Sequence, residues 1–190
     1  KNSGYINLFF DTLFQMQEPS VTLREALGDL PYQHAGEEKN FYEGRPNEYV
    51  KKHYRKNKDI ELTQNIARPN SVQDLQIYKE VARAKKSGHN LRYNELPVKL
   101  QTHRNNDKFL DRFKSLSWDS PAYTIVAHIA KDGHHYIHPD IKQNRSITVR
   151  EAARIQGFPD DFFFESSRTQ AFVQIGNAVP PILSDKIAKA

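Results

Sequence analysis

Apolar positions in this chain fall into short stretches with helix-like or strand-like spacing, separated by long stretches with neither. Tyr5 to Phe10 is an aromatic and apolar run that reads as a strand, followed by a polar linker up to Ser20. Thr22 to Gly28 predicts a short helix. Thr22 and Glu25 stand at the spacing at which each side chain bonds the other residue's backbone amide, and Gly28 supplies a stop. Residues 31–68 show little periodicity and many Gly, Pro, Asn and His, the content of loops. Ser71 to Lys86 predicts a longer helix with Val72, Leu75, Tyr78 and Ala82 on one face, Val81 beside them and Gly88 as its end. Residues 89–117 are again irregular, punctuated by Pro97 and Asn105-Asn106. Ala122 to Ile129 alternates as a strand, with Tyr123, Ile125, Ala127 and Ile129 on one face. Asp132-Gly133 then offers a turn and His134 to His138 a returning partner.

The last quarter carries the clearest local code. Thr148 and Glu151 repeat the capping pair, Ala152, Ala153, Ile155 and Gln156 favour helix, Gly157 offers a left-handed end and Pro159 prevents resumption. Gln174-Ile175-Gly176-Asn177-Ala178-Val179-Pro180-Pro181 reads as a tight Gly-Asn turn running into a helix opened by proline. The fold class expected from these patterns is α+β: a small, loop-rich mixed domain with a β-hairpin, flanked by capped helices.

Charge changes this picture by locating it. The 190 residues carry a net +5, but residues 39–114 hold 18 Lys and Arg against 9 Asp and Glu, while residues 115–190 balance at 8 each. The positive excess therefore sits in a middle block, densest at Lys51 to Lys58, which suits a polyanionic partner. No strongly apolar face accompanies it, and no apolar run is long enough to span a bilayer, so no membrane partner is expected and a cytoplasmic location is the simplest expectation. The absence of cysteine excludes disulfides, thiolate metal sites and a cysteine nucleophile within this chain. Opening on Lys1 and closing inside a helical pattern is what a segment of a longer chain would show.

Histidines are the conspicuous chemical residues. His134, His135 and His138 cluster, with His128 across the expected hairpin and Asp140 beyond; on a strand His134 and His138 would share a face. They admit three readings: a metal-dependent nuclease site, hydrogen-bond donors to phosphate or base edges, and structural packing. No metal site is expected on balance. No Gly-rich phosphate loop and no nucleophile elbow is present, so the residues themselves offer no catalytic constellation.

Arg145 to Asp160 (RSITVREAARIQGFPD) resembles the ninth conserved motif of DNA (cytosine-5) methyltransferases, and Gln174 to Pro181 (QIGNAVPP) resembles the tenth, in the family's order and near its spacing. The likeness is strong over residues 118–190, reasonable over 20–31 and regional between, where that family has its variable target recognition domain. It implies that Thr124, in Pro121-Ala122-Tyr123-Thr124-Ile125, lies close to the DNA backbone near the target cytosine. Asn177 and Ala178 are implied near the amino-acid end of S-adenosylmethionine; many relatives have a hydroxyl where Ala178 stands, so here only its backbone could donate. Arg150 and Arg154 are implied to tie the recognition domain to the catalytic one.

The family attacks cytosine C6 with a Cys thiolate. The Pro-Cys, Glu-Asn-Val and Gly-rich motifs of that chemistry are not found here, so no catalytic residue is assigned and the chain alone is expected not to methylate. The resemblance divides the chain into residues 1–30 as a connector from the catalytic domain, 31–140 as the target recognition domain, and 141–190 as the ninth-motif helix and the tenth-motif return. Those C-terminal helices would belong to a Rossmann-like domain outside this chain, and the apolar side of the Thr148–Gly157 helix is expected to be partly unpartnered. The partners implied are double-stranded DNA and an N-terminal catalytic half, in cis or as a separate subunit, within a restriction-modification setting. Lys52, Arg55, Arg104, Lys108, Arg112, Thr124 and His128 are the candidate DNA contacts. A stand-alone DNA-binding specificity module is the alternative, and the His-metal nuclease a more distant one.

Overall fold

A computed structural model describes residues 3–57, 59–102 and 107–190. Among the described residues seven α-helices carry the architecture: α1 (Ser3–Gln15), α2 (Leu23–Leu27), α3 (Glu48–His53), α4 (Val72–Lys86), α5 (Val149–Ile155), α6 (Arg168–Asn177) and α7 (Pro181–Lys189), with short 3-10 turns at Tyr93–Glu95, Val98–Leu100 and Ala127–Ala130. Among the described residues there is no extended sheet, only isolated bridges: Glu38 to Ile66, Ser115 to Ile137 and Ile137 to Ser146. None of the described helices is long and apolar enough to cross a membrane.

This overturns the expected α+β class and its hairpin. His134 and His135 lie in a turn closed by the Tyr136 N–H on the Gly133 carbonyl at 2.9 Å, and the short stretch around Ile137 that does pair finds its backbone partners outside residues 122–129. Ile137 accepts from Leu116 N–H at 2.9 Å and donates to Lys114 O at 3.0 Å, while His138 N–H reaches Arg145 O at 2.9 Å. Residues 122–129 leave the strand conformation because Ala127–Ala130 winds into a 3-10 turn, and only Ile125 and Ile129 of the expected face are buried. The Tyr5–Phe10 strand is likewise corrected to helix α1. Phe9, Leu13 and Met16, at helical spacing, form its half-buried side.

The capping pairs hold. Thr148 accepts from Glu151 N–H at 3.0 Å and its own N–H reaches the Glu151 carboxylate at 2.7 Å, and the same reciprocal arrangement starts α2 at Thr22 and α4 at Ser71. On α4 the buried face is Ile77, Tyr78, Val81 and Ala82; Val72 is 75% exposed, so the apolar face is rotated from the one expected. Gly176 and Asn177 make no separate turn. They are the last residues of α6, and the chain breaks only at Ala178 to Pro180 before Pro181 opens α7. Gly157 ends α5 at φ +89°, where an added Cβ would also stand 3.2 Å from the Ile182 side chain. Gly157→Ala is therefore expected to cost about 1–2 kcal/mol, read as a lower urea midpoint at unchanged slope.

Two cores result. The larger joins α2, α5 and α6 through Leu23, Ala26, Leu27, Val149, Ala152, Ala153, Ala171, Phe172 and Ile175, with Phe158 and Phe164 closing it. The smaller packs α4 against Tyr93, Leu96, Leu100, Phe113 and Ile137. The apolar side of α5 is thus buried within this chain, against the expectation of a half-empty interface. Exposed apolar side chains instead include a group on α1, Tyr5, Ile6, Leu8, Phe10 and Phe14, and a pair on α7, Leu183 and Ile187.

Three buried arginines lock the larger core's polar frame. Arg154 bonds Asp160 at 3.0 and 2.6 Å, both oxygens of Asp29, and the Ala26 carbonyl at 2.9 Å. Arg150 reaches Thr63 O and Oγ1 and the carbonyls of Pro159 and Phe162. Arg145 forks onto Glu151 at 2.7 and 2.8 Å and bonds Gln143 and the Gln33 carbonyl. Arg150 and Arg154 therefore tie α5 to residues 26–29, 63 and 159–162 of this same chain.

Candidate nucleic-acid interface

Two adjoining clefts of about 560 and 520 Å³ share Asp111, Val126, His135 and Tyr136 and form one groove. Its first part is bounded by the end of α4 with Lys85, by His89 to Arg92, by Phe113 to Ser115 and by Tyr123-Thr124. The second is bounded by Phe109, Arg112, His128 and His134. Lys85, Arg92, Arg112 and Lys114 thus line it against Asp111 and Asp132, with aromatic rings interleaved. Lys85 Nζ lies 6.0 Å from the centre of the Tyr123 ring, and Lys114 pairs with Asp111 at 2.8 Å. Cations beside exposed aromatic faces suit phosphate and base together.

Thr124, His128 and Arg112 are brought to this groove, and Lys108 is exposed just before it. Thr124 is exposed on the rim; the Tyr136 hydroxyl donates to its carbonyl at 2.9 Å and accepts from Val126 N–H at 3.2 Å, fixing the backbone on both sides of buried Ile125. Arg112 donates to the carbonyls of Phe109 and Lys108, each at 2.9 Å, with its guanidinium 4.3 Å from the Tyr93 ring centre. It braces the loop that presents Phe109, which is 76% exposed at φ +56°. Arg104 lies outside the described residues.

Lys52 and Arg55 are placed apart from the groove. Lys52 pairs with Glu18 at 3.0 Å beside α7. Bonds from Lys52 and Lys186 hold the Glu18 carboxyl down at about 2. Arg55 bonds Asp29 at 3.1 Å and lies 3.6 Å from the Tyr42 ring centre. The densest basic stretch of the sequence is therefore partly consumed by internal pairing.

The histidines do not converge. His134 Nδ1 is 2.8 Å from the Tyr78 hydroxyl, whereas His138 is buried with Nε2 3.6 Å from Glu151. Burial, reinforced by the Arg145 charge, pushes His138 down to about 3, so it is neutral at pH 7. His128 and His135 lie 5.9 Å apart at the groove, and burial followed by the Lys114 charge lowers His135. Among the described residues no three His, Asp or Glu side chains are placed to hold a metal ion.

Asn177 ends α6 with its side chain exposed, while Ala178 donates its N–H to Ile175 O at 3.3 Å and accepts from Gln156 at 2.9 Å. The backbone donor left to Ala178 is thus already used. The Asn177 side-chain amide is left at an open edge. Sequence reasoning passed over Lys85, Arg92, Lys114, Tyr123 and Phe109. The three cations lie in the basic block but look no different there from their neighbours, and nothing local marks the two aromatics.

A groove lined by cations and aromatic rings on a helical scaffold has the chemistry that suits a polyanionic ligand carrying flat rings. The family model for C-5 cytosine-specific DNA methylases matches residues 2–190. The chain belongs to the C-5 cytosine-specific DNA methylase family. It is 54% identical over 131 residues to a type II methyltransferase of Bacillus paralicheniformis, covering 69% of this chain and 29% of that protein. An Oceanobacillus iheyensis protein assigned as a type II methyltransferase is 34% identical over 203 residues, 90% of this chain and 44% of its own length. A solved E. coli structure described as a prophage-encoded DNA modification methyltransferase superposes with TM-score 0.54 at 26% identity, covering 92% of this chain and 47% of that one. The chain thus spans less than half the length of these relatives.

Proposed function

We propose that this chain is the target recognition and C-terminal portion of a type II DNA (cytosine-5) methyltransferase. The observation that carries this reading is the Thr124 groove: a rim hydroxyl, four flanking cations and interleaved aromatics in a chain matched by the methylase family over nearly its whole length. In this reading the groove grips duplex DNA, its cations contacting phosphate and its aromatic and polar side chains facing bases. S-adenosylmethionine supplies the methyl group for cytosine C5. This chain contributes at most the Asn177 edge to holding it. With no cysteine here, the C6 nucleophile comes from the remainder of the enzyme. The exposed apolar sides of α1 and α7 suit contact with that remainder.

The test is methyl transfer from labelled S-adenosylmethionine to duplex DNA. Mixing this chain with the N-terminal portion of the B. paralicheniformis relative is expected to give activity that neither piece shows alone. Activity of this chain by itself contradicts the assignment, and duplex binding without restored transfer favours a stand-alone specificity module. Thr124→Val, which keeps the shape and removes the hydroxyl, is expected to weaken duplex binding by about tenfold, the scale of one hydrogen bond to a charged group.

A further inference from the structure

Gly176 is an unlikely residue inside a helix, where it costs about 1 kcal/mol relative to Ala. Its surroundings account for it. An added Cβ would stand 2.4 Å from Ala127 N, 2.5 Å from Ala127 Cα and 2.5 Å from Val126 C, so the backbone two residues after Thr124 lies directly on α6 at this point. All three neighbours are main-chain atoms, which no rotamer change can move. On the far side of the same turn, the Arg68 guanidinium donates to the carbonyls of Ile129 at 2.7 Å, Lys131 at 3.2 Å and Ala130 at 3.5 Å, and it lies 5.1 Å from the ring centre of Phe172, also on α6. The turn is therefore held at its start by a missing side chain and at its end by a guanidinium, both against one helix.

We infer that Gly176 and Arg68 are positioning residues that set Thr124 and His128 against DNA by fixing residues 124–131 to α6, so that helix and rim move as one body. Asn177 follows Gly176 directly, so the edge proposed to meet the cofactor and the rim proposed to meet DNA share that body. The inference rests on the DNA-binding reading for its consequence, and on geometry alone for the clamp.

Two measurements on the full chain test it. Duplex affinity is compared for the wild type, Thr124→Val, Gly176→Ala and the double variant. If Gly176 acts through Thr124, Gly176→Ala weakens binding about tenfold and adding Thr124→Val weakens it no further. Independent effects, with the double variant about a hundredfold weaker, or no effect of Gly176→Ala, overturn the inference. Separately, amide exchange in the free protein is expected to quicken across residues 124–131 in Gly176→Ala and in Arg68→Gln while α5 stays protected; Arg68→Lys restores part of the protection. Unchanged exchange in Arg68→Gln overturns the clamp even if the glycine variant fails to fold. A wild-type chain that does not bind duplex defeats the DNA-binding reading instead, and the exchange experiment then decides the clamp by itself.

Discussion

Arg154→Ala is expected to destabilise the chain by about 3–5 kcal/mol, read as a large fall in the urea midpoint. The size follows from what is left behind. Arg154 is fully buried, and its guanidinium is the shared partner of two buried carboxylates, Asp29 and Asp160. Burial by itself would lower the Arg154 pKa, yet the bonds and charges of Asp160 and Asp29 raise it, so the cation stays charged. Truncation leaves Asp160 with the Tyr42 hydroxyl at 2.9 Å and Asp29 with Arg55 at 3.1 Å, neither of which replaces a forked guanidinium. Adding Asp160→Asn to Arg154→Ala is expected to recover part of the loss, because removing a stranded charge relieves its desolvation. A loss under 1 kcal/mol would mean that the three groups are not the closed network described.

The second large effect is acid sensitivity centred on the start of α5. Unfolded, His138 titrates near its ordinary 6.5; folded, burial and then Arg145 hold it at about 3. Between those values only the unfolded chain binds the proton, so stability falls by about 1.4 kcal/mol for each pH unit lost. Burial opposes ionisation of Glu151, but the Arg145 charge, with the bonds from Arg145 and Thr148 N–H, outweighs it, and its pKa sits at about 2 against an ordinary 4.5. Its contribution is full above pH 4.5 and disappears as pH falls towards 2. Acid unfolding should therefore begin below pH 6.5 and steepen below 4.5. His138→Gln is expected to remove about one proton of pH dependence all the way from 6.5 to 3, flattening the profile between pH 7 and 5 and leaving only the Glu151 contribution below 4.5, as followed by urea denaturation at pH 7, 6, 5 and 4.

What could be read in the sequence was what is local. Two helix starts were legible because a Thr and a Glu three residues later satisfy each other's amides whatever the rest of the chain does, and α4 begins at Ser71 with the same device made by Asp74. Helix α1 was misread because Tyr5 to Phe10 looks like a strand over six residues, while its helical spacing emerges only when Leu13 and Met16 are included. The hairpin failed for the opposite reason. Alternation in residues 122–129 is genuine at Ile125 and Ile129, but Ile137 pairs with Ser115 and Ser146, choices that no neighbouring residue announces. The same holds for the candidate site. Arg55 resembles a free surface cation until Asp29, 26 residues earlier, is seen beside it. Thr124 was accessible through its motif, whereas Lys85, Arg92 and Lys114 gain meaning only from the fold that gathers them.

The central claim is that duplex DNA is gripped at the Thr124 groove, and an amide-exchange footprint of bound duplex tests it most directly. Protection is expected over residues 85–92, 109–115 and 123–128, lost as salt rises through displacement of the phosphate contacts, with α1, α3 and α7 unaffected. Protection confined to α1, α3 and α7, or binding that leaves the groove segments unprotected, would contradict the account.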